Sequence, residues 1–224
     1  WSEITPNLGW LLGGSIMAAA LVNAGPIGMN ILADSSESEL VTKFGNGVLL
    51  ARVPLFLFQA IQAALLPRLA RLAAHGDLTE FRLAFRRLTY AVIAIGVIGV
   101  GGSAIAGPPI LKAVYQSDLD RRTLTLLALG SALYMMALAT AQAVIALHGH
   151  KWVALGWTVG MTSFVLTTWL SSNDLFLRIE IASVVSSTLA LCVFAFALRS
   201  RIASGDTPDV ESMLEAMSDR PVEG

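Results

Sequence analysis

The chain has 224 residues, of which 55% are hydrophobic and only 14% charged, against about 25% charged in an ordinary soluble domain. With a mean hydropathy of +0.67 it reads as a membrane protein. A net charge of −1 and the lack of any basic, aromatic-interleaved run argue against a nucleic-acid partner. The single cysteine, Cys192, excludes an intrachain disulfide and supplies no metal cluster.

A hydrocarbon core about 30 Å thick needs roughly 20 apolar residues per crossing. Six such windows follow one another, at about 8–32, 45–66, 89–107, 123–147, 152–170 and 175–198. The expected fold is therefore all-α and polytopic, a six-helix transmembrane domain over residues 1–203. Asn23, Gly25 and Pro26 interrupt the first window. Arg52 and Pro54 stand near the start of the second, and Pro67, Arg68 and Arg71 mark its exit. Pro108-Pro109 is read as closing the third. Trp1 opens the sequence without a charged leader, so the chain reads as a segment of something longer.

An even number of crossings puts both ends on one side. Beyond the second, fourth and sixth windows lie eight cations: Arg68, Arg71, Arg82, Arg86, Arg87, Lys151, Arg199 and Arg201. The opposite loops hold five, Lys43, Lys112, Arg121, Arg122 and Arg178, among several acidic residues. On the positive-inside rule both ends are cytoplasmic. Within 67–88, Asp77 and Glu80 resemble a capping box. Leu78, Phe81, Phe85 and Leu88 then recur at helical spacing, with Arg82 and Arg86 on another face. This connector reads as an amphipathic helix lying at the membrane surface, or as a basic connector that fixes topology. The segment 204–224 carries six carboxylates against Arg220 and is expected to be a disordered acidic tail.

A cation in an apolar span costs about 2.5–3.5 kcal/mol at mid-bilayer, which makes Arg52 a candidate functional residue. Its planar fork of donors suits phosphate. Counted from Gly45 it lies only about 10 Å into the span, so the bland alternative is a side chain that snorkels to the outer interface. Pro26 with Gly25, and Pro54, break helices that only a wet cavity or protein can cover, and are read as hinges or as plain architecture. Asn23, Asn30, Gln59, Gln62 and Gln142 could line a hydrophilic path or bond between helices. Glu180 is a candidate for ion coupling, or a solvated rim residue. Gly156 and Gly160 form a small-xxx-small packing pair. No phosphate loop, nucleophile elbow or metal-ligand spacing is found, so neither enzyme activity nor a cofactor is expected.

The block RVPLFLFQAIQAALLPRLARLAAHGDLTEFRLAFRRL, residues 52–88, resembles the eighth-helix region of bacterial polysaccharide and lipid-linked oligosaccharide flippases. These belong to the MATE-like (multidrug/oligosaccharidyl-lipid/polysaccharide) exporter superfamily. The positions that carry the likeness are Arg52, Pro54, Leu66, Pro67 and Leu69. ALGSALYMMALATAQAVIALHGHKWVALGW, residues 128–157, supports it with Gln142 and a short His/Lys turn. The resemblance implies the C-terminal lobe of a two-lobed transporter of the bacterial inner membrane, partnered by an N-terminal lobe that lies outside this sequence. It further implies a polyprenyl-diphosphate-linked glycan as substrate, moved by alternating access, with Arg52 on the diphosphate and membrane lipids around the basic belt. Two other readings remain: a cation-coupled multidrug exporter of the same superfamily, and a non-transporting membrane scaffold for glycan assembly.

Overall fold

The computed structural model describes residues 4–204, and the side chains among them except at 4–8 and 64–66. The acidic segment beyond Ser204 lies outside the described residues. Seven α-helices follow in order: α1 (Ile4–Leu32), α2 (Ser38–Ala51), α3 (Val53–Ala74), α4 (Leu78–Tyr115), α5 (Arg121–Ala146), α6 (His150–Leu170) and α7 (Leu175–Ser204). A single 3-10 turn, Ser35–Glu37, leads into α2. There is no strand among the described residues. With α2 and α3 counted as one broken crossing, six segments are long and apolar enough to span a bilayer. The protein is an all-α, multi-pass membrane protein.

The helix α5 forms the centre. It packs on α7, α4, α3 and α2, while α1 leans mainly on α6 and α6 on α7. Lipid tails are as apolar as leucine, so helices in a membrane gain little from hiding apolar surface and must instead approach closely. The sequence supplies the small residues this needs. A Cβ on Gly156 of α6 would overlap the Phe194 ring of α7, and one on Gly160 would stand 3.0 Å from Leu21 of α1 and 3.2 Å from Ala190 of α7. Gly130 brings α5 equally close to Ser183 of α7. The outward sides remain apolar, as on α4, where Tyr90, Val97, Ile98 and Ile105 are all well exposed.

Several helix ends differ from the sequence expectation. The second crossing starts at Ser38, not Gly45, because the turn at Asp34–Glu37 begins it earlier. There the Glu37 carboxylate accepts the Asp34 N–H at 2.9 Å. The helix does not end where the apolar span does, at Pro67. A proline deletes one backbone hydrogen bond, and the packing of Leu69 and Ala73, both buried, carries α3 on to Ala74. Nor does α4 end at Pro108-Pro109. Leu111 is buried against Leu119 and Leu124, and α4 runs to Tyr115, where Gln116 adopts a left-handed conformation and donates to the Lys112 carbonyl.

The separate surface helix expected within 67–88 is absent for the same reason: its two halves are the end of α3 and the start of α4. Asp77 does cap α4, accepting the Glu80 N–H at 3.0 Å. The apolar face is not turned toward lipid, since Phe81, Ala84 and Leu88 are buried in the protein core. Arg68, Arg71, Arg82, Arg86 and Arg87 remain exposed at this end of the bundle.

Candidate functional site

The site is built around the break between α2 and α3. Pro54 at the second position of α3 withholds an N–H from the Leu50 carbonyl, and the chain turns at Arg52 with φ −91° and ψ −4°. Pro54 itself faces α4, seated where Gly99 leaves space; a side chain at Gly99 would collide with the ring. Fixed in this way, the break aims the Arg52 side chain at α1.

There a second proline supplies its partner. Pro26 has no N–H to give the carbonyl one turn before it, that of Val22. The Arg52 Nη2 donates to that Val22 carbonyl, and Nη1 donates to the Asn23 Oδ1 at 3.4 Å. Asn23 is held in turn by its Nδ2, which donates to the Ala19 carbonyl at 2.9 Å. The arginine therefore meets a backbone acceptor that a proline has freed. Among the described residues no carboxylate lies within ion-pair distance of it.

Arg52 lines a cavity of about 50 Å³, room for one or two waters at the ~30 Å³ each occupies in the liquid. Gly25 and Pro26 of α1, Ser131 and Tyr134 of α5, and Ser183, Ser186 and Ser187 of α7 share the lining. Tyr134 ties α5 to α1 by donating to the Ala18 carbonyl at 3.1 Å. Counting at 1.5 Å per residue from the helix ends on one side, Val22, Ser131 and Ser183 lie about 12–15 Å in and Arg52 about 21 Å. The guanidinium is turned to α1, onto the Val22 carbonyl and the Asn23 side chain.

The other expected residues divide. Gln59 and Gln62 come together in a separate open groove of about 490 Å³ with Ala63, Pro67 and Leu138. Gln142 lies one turn beyond Leu138 on the same side of α5. Asn23, Asn30 and Gln59 are exposed. Seven residues, two helical turns, separate Asn23 from Asn30 and Arg52 from Gln59, so each pair shares a face. A polar seam thus runs along α1 and α3 on either side of the Arg52–Asn23 contact.

Glu180 belongs elsewhere. It is 0% exposed, not a solvated rim residue. The Thr123 hydroxyl of α5 donates to its Oε1 at 2.7 Å, and the Arg122 Nε stands 3.8 Å from its Oε2. Oε2 accepts no hydrogen bond. Asp174 precedes it on the turn into α7, where its carboxylate accepts the Leu177 N–H at 2.8 Å.

Sequence reasoning missed Tyr134 and the serines. Ser183, Ser186 and Ser187 recur at three- and four-residue spacing, a polar stripe on α7 that the helical period would have revealed. It also missed Val22, although the rule that a proline frees the carbonyl four residues earlier identifies that atom directly. No protein-family model, curated protein or solved structure matches the chain.

Proposed function

We propose that this chain is one lobe of a membrane transporter that flips an anionic, polyprenyl-diphosphate-linked glycan precursor across the bacterial inner membrane by alternating access. Both described ends would then face the cytoplasm. The observation that carries the reading is the guanidinium of Arg52 between α1 and α2, which has no carboxylate of the described residues within ion-pair distance. A buried cation is normally paired, or waits for an anion. The exposed Asn23, Asn30 and Gln59, in line with the half-buried Arg52, support it. Polar groups within a crossing belong against water or protein, and a facing N-terminal lobe would provide both.

The cavity beside Arg52 admits water but no diphosphate. In this reading the hydrogen bond to Val22 is the closed arrangement. An arriving diphosphate takes the guanidinium over, and α1 parts from α2 and α3 at Pro26. The test is translocation of a lipid-linked glycan by the full-length protein carrying Arg52→Ala or Arg52→Lys. Arg52→Ala is expected to lower transport by about 10–100-fold, the worth of one charge-assisted hydrogen bond of ~1.5–3 kcal/mol. Arg52→Lys should recover little, because a point charge cannot reproduce the fork. Unchanged transport at normal expression removes Arg52 from the mechanism.

A second reading, a cation-coupled drug exporter of the same superfamily, is favoured by Glu180, whose buried Oε2 lacks a hydrogen-bond donor. It requires export of small cationic substrates that depends on a Na⁺ or H⁺ gradient and is lost in Glu180→Gln. Gradient-independent transport by that variant at the wild-type rate rejects it.

A further inference from the structure

The two ends of the bundle handle their cations differently. At the end bearing the α1–α2, α4–α5 and α6–α7 turns three of the five cations are paired, Lys43 with Glu39 at 2.8 Å, Lys112 with Asp118 at 3.6 Å, and Arg122 with Asp120 and Glu180 at 3.8 Å each, while Arg121 and Arg178 have no carboxylate of the described residues within 4.0 Å. At the other end Arg68, Arg71, Arg82, Arg86 and Arg87 are exposed, and none has a carboxylate of the described residues within 4.0 Å. Two nearby acids are already placed on backbone or helix start: Asp77 caps α4, with Glu80 in its first turn. Five arginines against these two carboxylates leave the belt a surplus of three positive charges.

The chain itself carries the complement. Residues 205–224 hold Asp206, Asp209, Glu211, Glu215, Asp219 and Glu223 against Arg220 alone. They leave the bundle beside the belt, because the Arg82 Nη2 donates to the Ile202 carbonyl at 3.5 Å, two residues before the end of α7 at Ser204. Twenty residues reach about 70 Å when extended and about 25 Å as a flexible coil, so every arginine of the belt is within range. Tethering makes the encounter intramolecular, at an effective concentration in the millimolar range. An anionic membrane surface is the competing occupant. It is disfavoured because the apolar face of the belt helix, Phe81, Ala84 and Leu88, is spent inside the protein and leaves nothing to insert among acyl chains.

We infer that the acidic segment 205–224 docks across the arginine belt of α3 and α4 and masks it from anionic partners. The inference is independent of the transport reading, since it rests only on charges at one end of the bundle. The test uses the full chain with Cys192→Ala, and spin labels on Thr79→Cys and Ser218→Cys, read as a distance distribution in neutral-lipid nanodiscs. A narrow distribution of short distances is expected at about 0.1 M salt, broadening to long distances at about 1 M, where the Debye length falls from ~10 to ~3 Å. Asp209→Asn, Glu211→Gln and Glu215→Gln together should give the same release without touching any helix of the bundle. The same triple variant should also gain affinity for phosphatidylglycerol vesicles over the parent. A broad distribution indifferent to salt and to the triple variant overturns the proposal. So does equal vesicle binding by both proteins, which would assign the belt to the membrane surface.

Discussion

Arg52 and Glu180 are both charged, and both sit within crossings of one bundle, yet their surroundings are opposite. Glu180 is enclosed, takes a hydroxyl hydrogen bond from Thr123 and has Arg122 at 3.8 Å. Arg52 is half-buried and answered only by a backbone carbonyl and an amide. Breaking up a pair like Glu180–Arg122 chiefly tests stability, because the carboxylate is already countered inside the fold. The arginine is countered by nothing of opposite sign. A charge left without its complement between packed helices is the stronger sign of a ligand site.

The comparison can be broken at several points, from the largest effect downward. Pro26→Ala returns an N–H to the Val22 carbonyl and removes the acceptor that Arg52 uses. Thermal stability in detergent should rise, by up to the ~3 kcal/mol that an interior proline costs a helix, while transport falls severalfold. A loss of both stability and transport would mean that Pro26 serves only packing. Thr123→Val strips Glu180 of its hydroxyl donor and should cost about 1–3 kcal/mol of stability, seen as a lower melting temperature with the transport rate of the remaining folded protein unchanged. If transport per folded molecule drops instead, Glu180 takes part in the cycle and the contrast with Arg52 dissolves. Asn23→Ala removes a long hydrogen bond, 3.4 Å, and should change either quantity by no more than about 0.6 kcal/mol, typical of polar contacts between membrane helices.

The crossings were legible in the chain because apolar length is a property of each segment alone. Helix ends were not. Pro67 and Pro108-Pro109 read as terminators, but burial of Leu69 and Ala73 in the core and of Leu111 against Leu119 and Leu124 outweighs one missing hydrogen bond each. For the same reason the amphipathic pattern at 78–88 was correct as a pattern and wrong in its partner: periodicity says which side is apolar, not whether lipid or protein covers it. Arg52 stood out at once as a cation in an apolar run. The helix that carries it starts at Ser38, seven residues before Gly45. Glu180 could not be located from sequence, since the donor that encloses it, Thr123, lies 57 residues away on α5.

The central claim is that Arg52 is an unneutralised cation awaiting an anion. The most direct measurement is the affinity of the full-length protein for a short-chain polyprenyl diphosphate, compared between wild type and Arg52→Gln at matched folding. The account predicts a dissociation constant at least about tenfold weaker in the variant, or ~1.4 kcal/mol, with Glu180→Gln binding as wild type. Equal affinity in wild type and Arg52→Gln would contradict it and leave Arg52 as a clasp between α1 and α2.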